Sequence, residues 1–168
     1  RRGAMLREPR SAALLQELVD AAKRPPFNAA ADEPACDAIG DLVGGAWSAL
    51  RKRVRARTRP AADGELHAIR IAAKRARYAA EAAAPVAGRR AHTLAKAVED
   101  MQTILGDQHD AVTAREQLRS LAGGEHAFLA GELAALAHRT ARAKAGSWCD
   151  AWRTAKREHR RFRRAVRA

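Results

Sequence analysis

Hydrophobic residues recur at three- and four-residue steps along most of the chain, which is the period of amphipathic α-helices. A first helix is predicted over residues 11–23, with Ser11 as its N-cap and Pro25-Pro26 as its stop. After a linker rich in proline and alanine, a second helix is predicted over residues 35–57. The apolar stripe expected to bury this second helix consists of Ile39, Leu42, Val43, Trp47, Leu50 and Val54.

Further helical segments follow with the same period. Asp63 is the expected N-cap of the next segment, and Gly106 marks a kink or a tight packing point in the one after it. Because no run of valine, isoleucine and threonine alternates with polar residues, a β-sheet is not expected. The pattern therefore predicts an all-α protein, a helical bundle of about five or six helices. These further helices are predicted over residues 65–85, 89–122, 125–144 and 147–166.

The segment Glu65–Glu81 separates its residues onto two neighbouring helical faces. With about 5.4 Å of rise per turn, one of these faces places a positive or imidazole group on every turn. Such an arrangement suits an anion whose charges repeat along a line. The apolar face consists of Leu66, Ile69, Ala73, Ala76 and Ala80. The other face, the basic ladder, consists of His67, Arg70, Lys74, Arg75 and Arg77, with Tyr78 beside it.

The last predicted helix repeats this layout, with an apolar stripe next to a line of guanidinium groups. The apolar stripe consists of Trp148, Trp152, Ala155, His159, Phe162 and Val166. The cationic stripe consists of Arg153, Arg157, Arg160, Arg164 and Arg167. Few carboxylates are interleaved among these cations, and unpaired like charges destabilise a helix. An anionic ligand is therefore a better explanation of the stripes than a solvated surface, which remains the alternative.

The overall charge strengthens the expectation of a polyanionic partner. The chain has 168 residues, a formal net charge of +13 and a pI near 11.2. Most of the basic residues are arginines, whose planar guanidinium grips a phosphate group with two parallel hydrogen bonds. A GC-rich genome also enriches arginine and alanine, so the composition alone does not choose between these explanations. Nucleic acid, anionic lipid and inorganic polyanions all fit the charge.

Several function classes lack their usual signatures. No apolar run approaches the ~20 residues of a membrane span, and no secretory signal is recognisable. Cys36 and Cys149 are expected to be isolated thiols in a cytoplasmic protein. Asp107, His109 and Asp110 allow a weak metal or acid–base site, but we expect the two aspartates to hold arginines of an adjacent helix instead. We therefore predict no catalytic residues, no metal and no cofactor.

Two motifs together resemble the CHAD domain family, the conserved histidine α-helical domain. The stretch from Leu66 to Glu81 is similar to its pattern His-x-x-Arg-x-x-x-Lys-Arg-x-Arg-Tyr, and Leu105, Gly106 and Asp110 are similar to its Leu-Gly-x-x-x-Asp turn. The resemblance implies two helical bundles related by pseudo-twofold symmetry, with a basic channel between them. The family pattern has two histidine motifs and this chain has one. We therefore expect one half of that fold, with residues 1–62 as connecting helices and 63–168 as the histidine-motif repeat.

The resemblance also implies a function, which is the non-enzymatic binding of inorganic polyphosphate and targeting to polyphosphate granules. A second copy of the chain, or a separate chain carrying the first half, is expected to complete the channel. Sequence-independent binding of nucleic acid is the alternative, and no membrane partner is expected. Tyr78, Asp107 and Asp110 are expected to support the site. Besides the basic ladder, the predicted polyphosphate-binding residues are Arg51, Lys52, Arg53, Arg55, Lys96, Arg153, Arg157, Arg160 and Arg164.

Overall fold

The computed structural model describes residues 9–121 and 123–166, and these residues contain helices and turns but no β-strand. The chain divides into two compact units, residues 1–34 and residues 35–168. The division lies within residues 1–62, the region expected to hold connecting helices. The second predicted helix, at 35–57, therefore belongs to the larger unit. The α-helices are α1 (Pro9–Lys23), α2 (Ala35–Ala56), α3 (Asp63–Ser120) and α4 (Ala127–Val166), with 3₁₀ turns at Ala29–Asp32 and Gly124–His126.

Helix α1 is the main element of the smaller unit. It begins at Pro9, so Ser11 lies inside the helix and is not its N-cap as predicted. Proline suits the first turn because its missing N–H group would have no partner there. The helix ends at Lys23, two residues before Pro25, in agreement with the predicted stop. The basic residues before Pro9 lie outside the described part of the chain.

Helix α3 is a hairpin of two arms, residues 63–87 and 89–120, joined at Gly88. Gly88 has non-helical dihedral angles (φ 58°, ψ −141°), a conformation that glycine adopts without steric cost. The arms run antiparallel, because His67 stacks on His109 and Arg77 pairs with Glu99. The residues of each of these pairs are equally far from Gly88 along the chain. The chain reversal therefore occurs at Gly88, and Gly106 is not a kink.

The division predicted within the last part of the chain was wrong. The predicted helices at 125–144 and 147–166 form the single helix α4, which passes through Gly146 without interruption. A glycine inside a helix costs about 1 kcal/mol but removes no backbone hydrogen bond, so packing on α3 outweighs it. The separation predicted between 65–85 and 89–122 agrees with the chain reversal at Gly88, where the two arms of α3 meet. The count of five or six helices is not confirmed, since the described residues form four α-helical elements with α3 counted as one, and the pseudo-twofold arrangement remains a prediction.

The larger unit has one core, to which α2, both arms of α3 and α4 contribute. The apolar faces predicted for Glu65–Glu81 and for the last helix are confirmed, since Leu66, Ile69, Trp148 and Phe162 are each 1% exposed. Leu42 was predicted to be buried but is 52% exposed. It precedes the buried Val43, and adjacent residues point about 100° apart on a helix.

The start of α3 is held by Glu65 rather than by Asp63. The Glu65 carboxylate accepts hydrogen bonds from the backbone N–H of Ala62 (2.8 Å) and from the hydroxyl of Thr58 (2.6 Å). The hydrogen bond from Thr58 is the main cause that lowers the pKa of Glu65. Asp63, the predicted cap, is instead the first helical residue and accepts a hydrogen bond from the Gln108 side chain of the second arm (2.8 Å). Glu65 therefore fixes the loop between α2 and α3.

Among the described residues, no helix combines the length and the apolar character that a membrane span requires.

Candidate anion-binding surfaces

The basic ladder begins on the line where the two arms of α3 meet, which we call the α3 seam. The His67 and His109 rings lie 4.3 Å apart between centroids. One helical turn further along, the Arg70 side chain crosses Gly106, where an added Cβ would lie 3.5 Å from the Arg70 Nε. That distance is an ordinary van der Waals contact, so an alanine would also fit beside the guanidinium. Neither the kink nor the tight packing point predicted for Gly106 is supported.

Several polar atoms along the α3 seam are buried without a hydrogen-bond partner among the described residues. They are His67 Nδ1, Arg70 Nε and Gln102 Oε1. Gln102 is as far from Gly88 as Lys74 is, so the hairpin register places it at the level of the ladder's middle. Buried polar groups without partners are uncommon in folded proteins and are usually satisfied by water or a ligand. The seam can therefore accept hydrogen bonds from, and donate them to, a molecule bound there.

At one end of the basic ladder, around Arg77, the cations are paired with carboxylates of the protein. Arg77 lies 3.5 Å from both Glu81 and Glu99, and Lys96 pairs with Glu99 (2.7 Å) and with Asp100 (3.3 Å). The hydrogen bond between Lys96 and Glu99 raises the pKa of Lys96 and lowers that of Glu99. Two cations therefore face three carboxylates, and this end of the ladder is already neutralised by the protein.

The middle of the ladder carries cations that are free. Lys74 and Arg75 are exposed, and neither belongs to an ion pair among the described residues. The Lys74 ammonium lies 5.6 Å from the centre of the Tyr78 ring, and the Arg77 guanidinium lies 4.9 Å from it. Tyr78 thus contacts the ladder through cation–π interactions, consistent with a supporting position. The segment from His67 to Arg75 is the part of the ladder best suited to an external anion.

The remaining predicted cations lie on other surfaces. On α4, Arg153 pairs with Asp150, and Arg157 lies 3.3 Å from the buried carboxylate of Glu158. Arg167 lies outside the described residues. The exposed predicted cations that take part in no ion pair within the described ranges are Arg51, Lys52, Arg53, Arg55, Arg160 and Arg164.

A second surface, the α2–α4 groove, lies where the end of α2 and the loop after it face the middle of α4. Trp47 of α2 stacks on Trp152 (5.0 Å between centroids) and on His159 (4.1 Å) of α4. Beside these rings is a cavity of about 300 Å³. Its lining includes Arg51 and Arg55, so the structure places these predicted residues away from the α3 seam. The cations that line this cavity are Arg51, Arg55, Arg57, Arg59 and Lys156.

Arg57, Arg59 and Lys156 were not among the predicted site residues. Arg57 and Arg59 belong to the basic run that ends α2, RKRVRARTR, but they lie at and beyond the helix end, where helical spacing gives no direction. Lys156 lies one helical turn after Trp152, and this spacing could have indicated that Lys156 is a site residue. That inference also required the knowledge that α2 packs against this part of α4.

The comparison of the chain with protein families gives one match. The model of the CHAD domain matches residues 2–119, more than half of the chain. The chain belongs to the CHAD domain family. The match includes both arms of α3 and with them the complete α3 seam, whereas α4 lies beyond it. Comparisons with curated proteins and with solved structures returned no match.

A further cavity of this CHAD chain, of about 610 Å³, adjoins Trp47 on the side of His159. His159 is 6% exposed, and its Nε2 atom has no hydrogen-bond partner among the described residues. Burial, together with the positive charges of Arg163 and Arg51, lowers the pKa of His159 to about 4. The imidazole is therefore neutral at pH 7 and serves as an aromatic ring of the core.

The aspartates near the second CHAD motif, Asp107 and Asp110, differ in their contacts. Within the described ranges, no group of three or more histidine, cysteine, aspartate and glutamate side chains is placed to hold a metal ion. Asp107 pairs with Lys144 of α4 at 2.7 Å, so its partner on the adjacent helix is a lysine where an arginine was expected. Asp110 is exposed and belongs to none of the ion pairs of the described residues.

Proposed function

We propose that this CHAD-family chain binds inorganic polyphosphate without reacting with it, and that the basic ladder of the α3 seam is the contact surface. The observation that carries the proposal is the state of the ladder between His67 and Arg75. Buried donors of His67 and Arg70 lack partners there, and the exposed Lys74 and Arg75 lack carboxylates within the described residues. Binding an anion costs the buried groups little further desolvation, because folding has already removed them from water.

Polyphosphate fits the seam because its charges repeat along a flexible line. The ladder presents one cationic or imidazole group on each turn, about 5.4 Å apart. Guanidinium groups bind phosphate oxygens through charge-assisted hydrogen bonds. The family resemblance implies the same ligand, and the family match contains the whole seam.

Nucleic acid is the competing ligand, since a net charge of +13 attracts any polyanion. Proteins that bind single strands usually stack bases on exposed aromatic rings. Here Trp47 and Trp148 are 4% and 1% exposed, and Trp152 stacks on Trp47. The indole rings are therefore used for packing, and Tyr78 is the exposed aromatic ring that contacts the ladder. A single ring offers little stacking surface for a strand of bases, which favours a ligand without bases.

We further propose that the chain carries out no hydrolysis, and that it acts in the cytoplasm at polyphosphate granules. A second copy, or a separate chain that supplies another basic wall, would enclose the ligand in a channel. If the chain were instead a polyphosphate-processing enzyme, incubation with polyphosphate and Mg²⁺ or Mn²⁺ would release phosphate. We expect no release above that of a blank without protein.

The first experiment is a competition titration of long-chain polyphosphate against duplex DNA and heparin at matched charge concentration. Counterion release weakens all three ligands as salt rises from about 50 to 300 mM, in proportion to the number of charges contacted. We expect polyphosphate to outcompete both over this range. Equal affinities that decline together would identify a non-specific basic surface and would contradict a fitted polyphosphate site.

The second experiment tests the seam. Substitution of Arg70, Lys74 and Arg75 by Ala should weaken polyphosphate binding at least about tenfold, because several charge-assisted hydrogen bonds are lost. Arg70 is partly buried, so its replacement also affects packing. The Lys74→Ala, Arg75→Ala double variant therefore repeats the test with exposed positions only. The control is the triple Ala variant of Arg119, Arg139 and Arg142, which removes the same charge from exposed, unpaired positions of the described chain. An equal loss in the control would contradict the assignment to the seam.

A further inference from the structure

We infer that the α2–α4 groove is a second anion-binding site, separate from the α3 seam, and that it accepts a short triphosphate group. The cavity of about 300 Å³ continues into one of about 520 Å³. The two cavities share Arg57, Arg59, Trp152 and Lys156 in their linings, so they form one continuous groove. The inference does not depend on whether the seam binds polyphosphate.

The charge of the groove is one-sided. Five cations line the first cavity, and neither cavity has an aspartate or a glutamate in its lining. Within the described ranges, Arg55, Arg59 and Lys156 take part in no ion pair. The neighbouring cavity beside His159 is different, because Asp37 and Asp41 line it together with its arginines. Like charges left together without a counter-charge repel one another, and a bound anion removes that cost.

The groove is also rigidly built. Arg57 donates a hydrogen bond to the carbonyl of Val54 at the end of α2, and its guanidinium stacks on the Trp148 ring at 4.9 Å. The loop that carries Arg59 is fixed at Thr58 and Ala62 by the Glu65 carboxylate. The Arg57 guanidinium and the loop backbone beside Arg59 therefore hold their positions before a ligand arrives, which reduces the entropy lost on binding.

The size and lining of the groove indicate the class of ligand. Several guanidinium and ammonium groups around two small cavities match a compact group of about three phosphates better than a single phosphate. A triphosphate could come from inorganic tripolyphosphate or from a nucleoside triphosphate. The second cavity has an apolar wall of Pro60, Ala61 and Ala145, against which a nucleoside could lie.

The groove is independent of the seam in both structure and sequence. The seam is formed by the two arms of α3, whereas the groove is formed by α2, the loop after it and α4. Trp152 and Lys156 also lie outside residues 2–119, the region that the family model matches, whereas the arginines of α2 and of the loop lie inside it. The α4 side of the groove therefore lies outside the matched region.

The test is calorimetric titration of the full chain with inorganic tripolyphosphate and, separately, with ATP. The groove variant replaces Arg55, Arg59 and Lys156 with Ala. The matched control is the Arg119, Arg139 and Arg142 triple variant, and the Lys74→Ala, Arg75→Ala seam variant is titrated for comparison. We expect the groove variant to bind tripolyphosphate at least about tenfold more weakly, and the matched control to remain within about twofold of the unsubstituted chain. Circular dichroism verifies that each variant is folded.

The ATP titration distinguishes the two sources of the triphosphate. ATP affinity equal to or above that of tripolyphosphate, lost in the groove variant, supports a nucleotide ligand. Tripolyphosphate binding without ATP binding supports an inorganic one. The proposal is overturned if neither ligand binds, if the groove and control variants lose affinity equally, or if only the seam variant loses tripolyphosphate. Failure of the seam experiment with long-chain polyphosphate would leave these outcomes unchanged, so the two proposals can fail separately.

Discussion

The α3 seam and the α2–α4 groove belong to one bundle but are built from side chains of different size. The arms of α3 bury a series of alanines, and the Arg70 side chain crosses the second arm at Gly106. Between α2 and α4, by contrast, the rings of Trp47, Trp152 and His159 stack on one another. Small residues let helices approach closely, whereas large rings hold them apart.

This difference in size determines the shape in which the cations are presented. On the alanine-rich arms, the ladder runs from the partly buried His67 and Arg70 to the exposed Lys74 and Arg75. Around the aromatic rings, the wider spacing leaves cavities, and cations of α2, of the loop after it and of α4 line them. The same residue types thus form a line on one surface and a half-open groove on the other. Helix spacing, and not charge alone, separates the two kinds of site.

The largest effect is expected at the centre of the aromatic contact. Trp47→Ala should lower the free energy of unfolding by about 3–5 kcal/mol, because it removes a buried ring and leaves a cavity. Urea denaturation measures this loss. The control is Phe128→Ala, since Phe128 is 79% exposed and its removal should cost less than about 0.5 kcal/mol. Similar losses for both variants would show that the stack does not hold α2 and α4 together.

A pH effect of intermediate size is expected from His159 in the same stack. Its pKa is about 4 in the folded chain and 6.5 in the reference state, so between these values the unfolded chain binds the proton more readily. Stability should therefore be fully present above pH 6.5 and fall as the pH decreases towards 4, by an amount on the order of 2 kcal/mol. The charged groups around the His159 ring are Asp37 and Asp41, which line the same cavity, and Arg51 and Arg163, whose positive charges contribute to the lowered pKa.

The measurement is urea denaturation at several pH values for the original chain and for His159→Phe, which keeps an aromatic ring but cannot titrate. The original chain should lose more stability between pH 6.5 and 4 than the variant does. Parallel pH profiles would contradict the depressed pKa and with it the burial of this ring against Trp47.

The smallest effect is expected at the neutralised end of the ladder. Glu99→Gln removes a carboxylate shared by Arg77 and Lys96, which keep Glu81 and Asp100 as partners, and should make both cations partly available to an external anion. Exposed ion pairs are worth about 0.2–1 kcal/mol, so polyphosphate affinity should rise by no more than about fivefold. The control is Glu132→Gln, an exposed glutamate of α4 that belongs to none of the described ion pairs. A decrease in affinity, or an equal rise in the control, would contradict a ligand path that reaches Arg77.

Most of the local structure could be predicted because helical periodicity depends on neighbouring residues alone. The bounds of α1 and α2 agree with the prediction to within two residues, and the apolar face beside the ladder is buried as expected. The errors concern the helix caps at Ser11 and Asp63, the burial of Leu42 and the division of α4. Gly88 reverses the chain whereas Gly146 is crossed by a continuous helix, and packing rather than local preference decides between these outcomes.

The sequence by itself determined the helical class, the family, and the confinement of His67, Arg70 and Lys74 to one face, because these follow from spacing and motif. The tertiary structure decided which cations are free. Arg77 and Lys96 are neutralised by carboxylates that the hairpin or the helix turn brings near, whereas Lys156 meets Arg55 and Arg59 across a cavity. Electrostatic interaction depends on distance in space, and only the folded chain fixes those distances.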